Sequence, residues 1–260
     1  MPMVTTLYGR AGTGKTTIAS SYPKPQLIID IKDKGTESAK SKNLVKGDIK
    51  VIELENFEDM YDIYDYIKAS KKYKSVVIDH LTSLQEYSNQ YVKEQENKDQ
   101  MSQRMFGMSS GYMKEIIQLY KDLADEGIDP VFIVQDRTTS GDGEGDEQLI
   151  PEVGPALMPS VATFLCAASR IIGNTYLYEL PMKKVKPGVK VKPTIEFRLR
   201  LGPNPYYITK VTRVQESPCP AYIAVDLQGN IYDQLVAIVK GDYKEPTVGR
   251  MKKKRKRIRK

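Results

Sequence analysis

Cysteine and histidine are scarce in this chain, and long apolar runs are missing altogether. The only cysteines, Cys166 and Cys219, lie far apart and form no C-x-x-C pair. That excludes a disulfide framework and a finger-type zinc site, and it suits a reducing compartment. No segment approaches the ~18 consecutive apolar residues that span a membrane, and the first residues enter a strand pattern rather than a charged and apolar leader. A soluble, cytoplasmic protein with no membrane partner is expected. The single histidine, His80, has no serine and aspartate companions of its own for catalysis and reads as a lining or signalling residue. Internal repeats are absent, and low complexity is confined to the C-terminal tail.

What is present suffices for one sizeable core: 260 residues, 40% of them hydrophobic. The net charge of +7 is not spread evenly. Eight basic residues, among them Lys252, Lys253, Lys254 and Arg255, fall within Met251–Lys260, which holds no acid, and without them the net charge is −1. A block of like charge repels itself and cannot pack, so residues 244–260 are expected to form a basic disordered tail that finds polyanions such as nucleic acid. Most of the 17 tyrosines are assigned to the edges of an amphipathic core.

The run Gly9-Arg10-Ala11-Gly12-Thr13-Gly14-Lys15-Thr16 is a complete phosphate-binding loop. An apolar strand pattern precedes it at Met3–Tyr8 and a helix opens after it at Thr16–Ser20, the strand-loop-helix context the motif requires. Its glycines let backbone N–H groups close on phosphate oxygens, with the positive end of the helix dipole behind them. Lys15 then reaches the β- and γ-phosphates and Thr16 holds Mg²⁺. Gly9, Arg10, Ala11, Gly12, Thr13, Gly14, Lys15, Thr16 and Thr17 are the candidate nucleotide contacts, with ATP and Mg²⁺ as the cofactors.

Further strands are read at Gln26–Asp30, Ile49–Leu54, Ser75–Asp79 and Pro130–Gln135. Helices are read at 56–68, capped by Asn56, and at 110–126, with Met113, Ile116, Ile117, Tyr120 and Leu123 on one face. Strands alternating with helices specify a mostly parallel sheet flanked by helices. The region of about 176–225 differs. Ile195, Phe197, Leu199 and Leu201 alternate with charged residues, the pattern of a half-buried antiparallel strand, after a lysine-rich turn around Pro187-Gly188. A last helix is read at 230–240, with Ile231, Leu235 and Ile238 facing inward.

Hydrolysis needs a carboxylate that orients Mg²⁺, and Asp79, at the end of an apolar strand, fits that role together with Thr16. Gln135, ending the next strand, is placed to sense the γ-phosphate or the attacking water.

These elements together resemble the RecA-like P-loop ATPase core, and within it the small bacteriophage single-strand-annealing and recombination ATPases. The motifs that carry the resemblance are Gly9–Thr16, Ile29-Asp30, Val76–Asp79, Phe132–Gln135 and Leu149–Arg170. The resemblance implies an α/β core over 1–243 with an antiparallel C-terminal extension, and a nucleotide shared between subunits of a filament or ring. It implies single-stranded DNA as partner, with a single-strand-binding protein as a further one, and the host cytoplasm as location if phage-encoded. DNA would be held by two loops, about 95–108, with Lys98, Arg104, Met105 and Phe106, and about 136–148, with Arg137. From Arg137 to Glu147 the second loop carries four acids against that one arginine.

In two places the chain departs from the pattern. Where such ATPases place a glutamate two residues past the strand-end aspartate, this sequence has Lys32, which leaves Asp33 as the candidate base, Glu37 nearby, and slow turnover as a consequence. The basic pair that completes a neighbour's site corresponds to Lys210 and Arg213, whose spacing of three puts them on opposite faces of a regular strand unless a bulge intervenes. Two alternatives stand beside an ATPase acting on single-stranded DNA: a nucleotide-gated assembly protein with vestigial hydrolysis, and a replicative motor. A small-molecule kinase would need an arginine-rich lid, which the acidic segment 141–147 does not supply.

Overall fold

The computed structural model describes residues 2–31, 47–139, 151–181, 194–226 and 230–244. Six parallel strands form the centre of one sheet: β1 (Thr5–Tyr8), β2 (Gln26–Asp30), β3 (Ile49–Glu53), β4 (Ser75–Asp79), β5 (Asp129–Val134) and β8 (Ile171–Glu179). On one edge β9 (Ile195–Arg200) pairs antiparallel with β8, and β11 (Tyr222–Ala224) pairs antiparallel with β9. The order across the sheet is β11-β9-β8-β1-β5-β4-β2-β3, with the short β10 (Lys210–Val211) also on β8. A separate hairpin joins β6 (Asp136–Thr139) to β7 (Glu152–Pro155). The mostly parallel sheet flanked by helices, with an antiparallel C-terminal edge, is the α/β arrangement expected from the sequence.

Helices cover both faces. Under one face lie α1 (Lys15–Ala19) and the last helix α6 (Ile231–Lys240), whose Ile231, Leu235 and Ile238 pack with Leu7, Ile18, Ile133 and Leu199. On the other lie α2 (Asp59–Ser70), α3 (Leu81–Glu96), α4 (Gln103–Asp122) and α5 (Pro159–Ala168), packed on Tyr8, Ile29, Ile78 and Phe132. Alternation along β1 sends Leu7 to one core and Tyr8 to the other, and each such buried side chain contributes ~1.5–3 kcal/mol relative to exposure.

Three local readings change. The helix read from Asn56 starts at Asp59: the Asp59 carboxylate accepts from the backbone N–H of Asn56 and Glu55, which holds those residues in a turn outside the helix. Phe57 is still buried. Residues 103–108, expected in a loop, are the first turns of α4, capped by Ser102, whose hydroxyl accepts from Met105 N–H. Two glycines, Gly107 and Gly111, weaken the local helix signal, but packing on α3 overrides it. Ser88 bonds Ser109 at 2.9 Å, and Met105, read as part of a DNA-holding loop, is buried. Finally, Leu199 and Leu201 face the core as expected, while Ile195 stands 54% exposed, because β8 and β9 run out beyond the helical layer.

Candidate functional site: a phosphate-binding loop at the carboxyl edge of the sheet

Parallel strands end together, and this register gathers the site. Asp30 pairs with Asp79, Asp79 with Ile133, and Tyr8 with Val134, so the loop after β1, the two aspartates and Gln135 share one sheet edge. The crossover at β1 makes that edge the crevice where such folds bind ligands.

The loop is shaped by its glycines and pinned by hydrogen bonds. A Cβ on Gly9 would lie 2.4 Å from the Thr175 carbonyl oxygen, so only glycine lets the loop pass that close to β8. Gly14 caps α1 in the left-handed region, at φ 89°. The Thr13 hydroxyl meets Thr175 Oγ1 at 2.6 Å and donates to Arg10 O at 2.7 Å. The ammonium of Lys15, almost fully buried, donates to Gly9 O at 2.7 Å and Arg10 O at 2.8 Å, within the curl of the loop.

Thr16 Oγ1 donates to Asp79 Oδ2 at 2.7 Å, so the two oxygens expected to flank Mg²⁺ are already together. Among the described residues no group of three or more His, Cys, Asp and Glu could hold a metal. Mg²⁺ keeps several waters and takes most of its ligands from phosphates, so it asks little of the protein beyond one hydroxyl and one carboxylate. The residues present therefore suit ATP·Mg²⁺: a glycine cradle, a buried ammonium and a hydroxyl–carboxylate pair.

Gln135 is exposed and tied at both ends of its backbone: its N–H donates to Thr82 Oγ1, and its carbonyl accepts from Ala156 N–H. Its side-chain amide lies 3.2 Å from His80 Nε2. His80 caps α3, and its Nδ1 accepts from Ser83 N–H at 3.1 Å. The neutral ring therefore carries its proton on Nε2 and donates to Gln135 when the amide presents its oxygen. His80 thus bridges the strand-end Asp79 and Gln135. Sequence placed His80 at the nucleotide edge, but nothing local pointed to the Gln135 contact.

Beside the loop is a cavity of about 460 Å³ lined by Arg10, Thr13, Asp136, Thr138, Asn174, Tyr176, Arg200 and Tyr207 among others. Arg200 and Thr175 were absent from the candidates, since their partners are distant in sequence.

The other candidates disperse. Lys98 is exposed, Arg104 pairs with Glu96 at 3.2 Å, and Phe106 stands 45% exposed on α4. Arg137 is exposed on β6. Lys210 Nζ donates to the Cys166 and Ala167 carbonyls at the end of α5. Arg213 lies beyond the two-residue β10 and is exposed, so strand alternation does not govern the pair. Lys32, Asp33, Glu37, segment 141–147, the turn at Pro187-Gly188, and Lys252, Lys253, Lys254 and Arg255 lie outside the described residues. No helix among the described residues is long and apolar enough to cross a membrane.

A glycine loop holding its own lysine, facing a strand-end aspartate that meets the loop threonine, defines a P-loop nucleoside-triphosphate site. Residues 1–172 match the AAA domain family, and the chain belongs to it; it is a P-loop ATPase. A search of curated proteins finds no match. Among solved structures, the flagellar accessory protein FlaH from Methanocaldococcus jannaschii is similar at 10% identity and a TM-score of 0.40, over 76% of each chain.

Proposed function

We propose that this protein hydrolyses ATP with Mg²⁺ and couples the nucleotide to single-stranded DNA, in annealing, recombination or repair of the kind bacteriophages encode. The observation that carries the nucleotide half is the junction of Lys15, Thr16 and Asp79 at one sheet edge. The loop N–H groups and Lys15 hold the phosphates, Thr16 and Asp79 hold the ion, and Gln135 orients the attacking water. When bound, Mg²⁺ neutralises charge that builds on the phosphate oxygens. The DNA half is supported by the basic residues of 251–260, whose neutralising contacts would make affinity fall steeply with salt. Self-assembly, ring or filament, would bring Arg213 or Lys210 to a neighbour's nucleotide.

Phosphate release measured with and without single-stranded DNA, with Lys15→Ala as control, tests the reading. DNA-stimulated, Lys15-dependent release supports it; release indifferent to DNA removes the coupling. A second reading, a nucleotide-gated assembly protein, is favoured by Lys32 at the position where RecA-like relatives carry their glutamate. It predicts nucleotide-dependent DNA binding with negligible release.

A further inference from the structure

Burial along β8 falls off sharply: Ile171–Thr175 are buried, while Leu177–Glu179 are open. Here the end of β8 and the start of β9 extend past the helices, and the face of β8, β9 and β11 opposite the buried Leu199 and Ile223 carries two stacks of arginine between tyrosines. The Arg198 guanidinium sits 3.6 Å from the Tyr178 ring centre and 4.1 Å from that of Tyr222. Arg200 sits 4.3 Å from Tyr176 and 3.7 Å from Tyr207. Strand alternation puts Asn174, Tyr176 and Tyr178 on one face, and the register sets Arg198 opposite Tyr176 and Arg200 opposite Asn174 and Tyr222.

The two arginines are not equivalent. Glu196 accepts a hydrogen bond from Arg198 and neutralises it. Arg200 instead donates to the neutral Asn174 Oδ1 at 2.9 Å, and among the described residues no carboxylate forms an ion pair with it. Its charge lines the cavity beside the phosphate loop, with exposed Arg10 on the loop side and Asp136 as the acid on that wall. Tyr178 and Tyr222, 36% and 41% exposed, are held against Arg198 and so present ordered rings to solvent.

Ordered aromatic rings beside an unneutralised guanidinium suit a ligand that alternates flat bases with phosphates. We propose that the Tyr178–Arg198–Tyr222 and Tyr176–Arg200–Tyr207 face of the sheet extension is a docking surface for single-stranded DNA. Bases stack on Tyr178 and Tyr222, and a phosphate meets Arg200 beside the nucleotide loop. The proposal rests on the DNA reading above and locates it on strands, apart from the segments 95–108 and 136–148 and from the tail.

The test is fluorescence anisotropy of the full chain with a fluorescein-labelled oligothymidine, across a potassium chloride series, with Mg²⁺ and a non-hydrolysable ATP analogue. Tyr178→Ala and Tyr222→Ala should each weaken binding roughly 5- to 100-fold with an unchanged salt slope. Tyr222→Phe should retain it. Arg200→Met should weaken binding and reduce the salt slope by about one. If the wild type binds and these variants bind equally well, this surface is overturned while the DNA reading stands. If the wild type fails to bind, that reading falls and this surface with it. Melting temperature reports that the variants stay folded. Photocrosslinking of the wild type to a thiothymidine oligomer gives a check without substitution: adducts on residues 171–179, 195–200 or 222 support the surface, and adducts confined elsewhere overturn it.

Discussion

The hydroxyl of Thr16 donates to the Asp79 carboxylate across 2.7 Å, linking the first turn after the phosphate loop to the end of β4. In the proposed site these two oxygens would be the protein's contribution to the Mg²⁺ shell, directly or through water. Asp79→Asn keeps the shape but removes the charge. Phosphate release should fall ~100-fold or more. The fluorescent ATP analogue should still bind, with a weakened dependence on Mg²⁺, which titration with and without EDTA reads directly.

Gly9 and Gly12 should fail differently when changed to alanine. At Gly9 the new Cβ meets the Thr175 backbone at 2.4 Å, so loop and strand must part, and nucleotide affinity should be lost. At Gly12 nothing lies within 4 Å, and only the left-handed backbone, φ 77°, is strained. That costs ~1 kcal/mol, and the fold of the loop and β8 should survive. Melting temperature and nucleotide titration separate the two.

His80 and Gln135 should behave as one unit. His80→Ala and Gln135→Ala should each slow hydrolysis while sparing nucleotide affinity. In a double-mutant cycle on turnover the pair should show a coupling of ~1 kcal/mol, as expected of residues in direct contact. Additive effects would separate them.

Lys210 and Arg213 can be told apart by what they already touch. Lys210 satisfies carbonyls at the end of α5, so Lys210→Met should cost ~1 kcal/mol, a drop of ~2–4 °C in melting temperature, with turnover of the folded protein retained. Arg213→Ala should leave melting unchanged. If Arg213 completes a neighbour's site, it should also lower turnover steeply.

Lys24 makes stability pH-dependent. Burial pushes its ammonium down to about 8, although it donates to Ser20 O and Gln26 Oε1. Between that value and the ordinary lysine value the unfolded chain holds more protons than the folded one, so stability should rise as pH rises through this window. The gain is about 1 kcal/mol once solvent screening is allowed for. Lys24→Met should abolish the rise in melts taken across that range.

Much of this was legible from the chain, for identifiable reasons. The phosphate loop, Asp79 and Gln135 announce themselves because each sits at the end of an apolar strand run, and strand ends of a parallel sheet must coincide. The start of α4 was illegible because Gly107 and Gly111 mask its periodicity while the Ser88–Ser109 contact with α3 supplies the stabilisation. The turn before α2 was misread because Asn56, a good capping residue by type, donates its backbone to Asp59 instead of capping with its side chain.

By itself, the sequence determined the α/β class, the nucleotide loop, the strand-end position of Asp79 and the inward faces of α6 and β9, because backbone freedom, strand runs and helical period are local properties. Only the tertiary structure decided that Thr175 pins the loop, that His80 meets Gln135, that Lys210 is spent on α5, and that Arg200 faces the loop between two tyrosines. Those contacts join residues distant in the chain, and strand order, which no local pattern encodes, is what brings them within hydrogen-bonding reach.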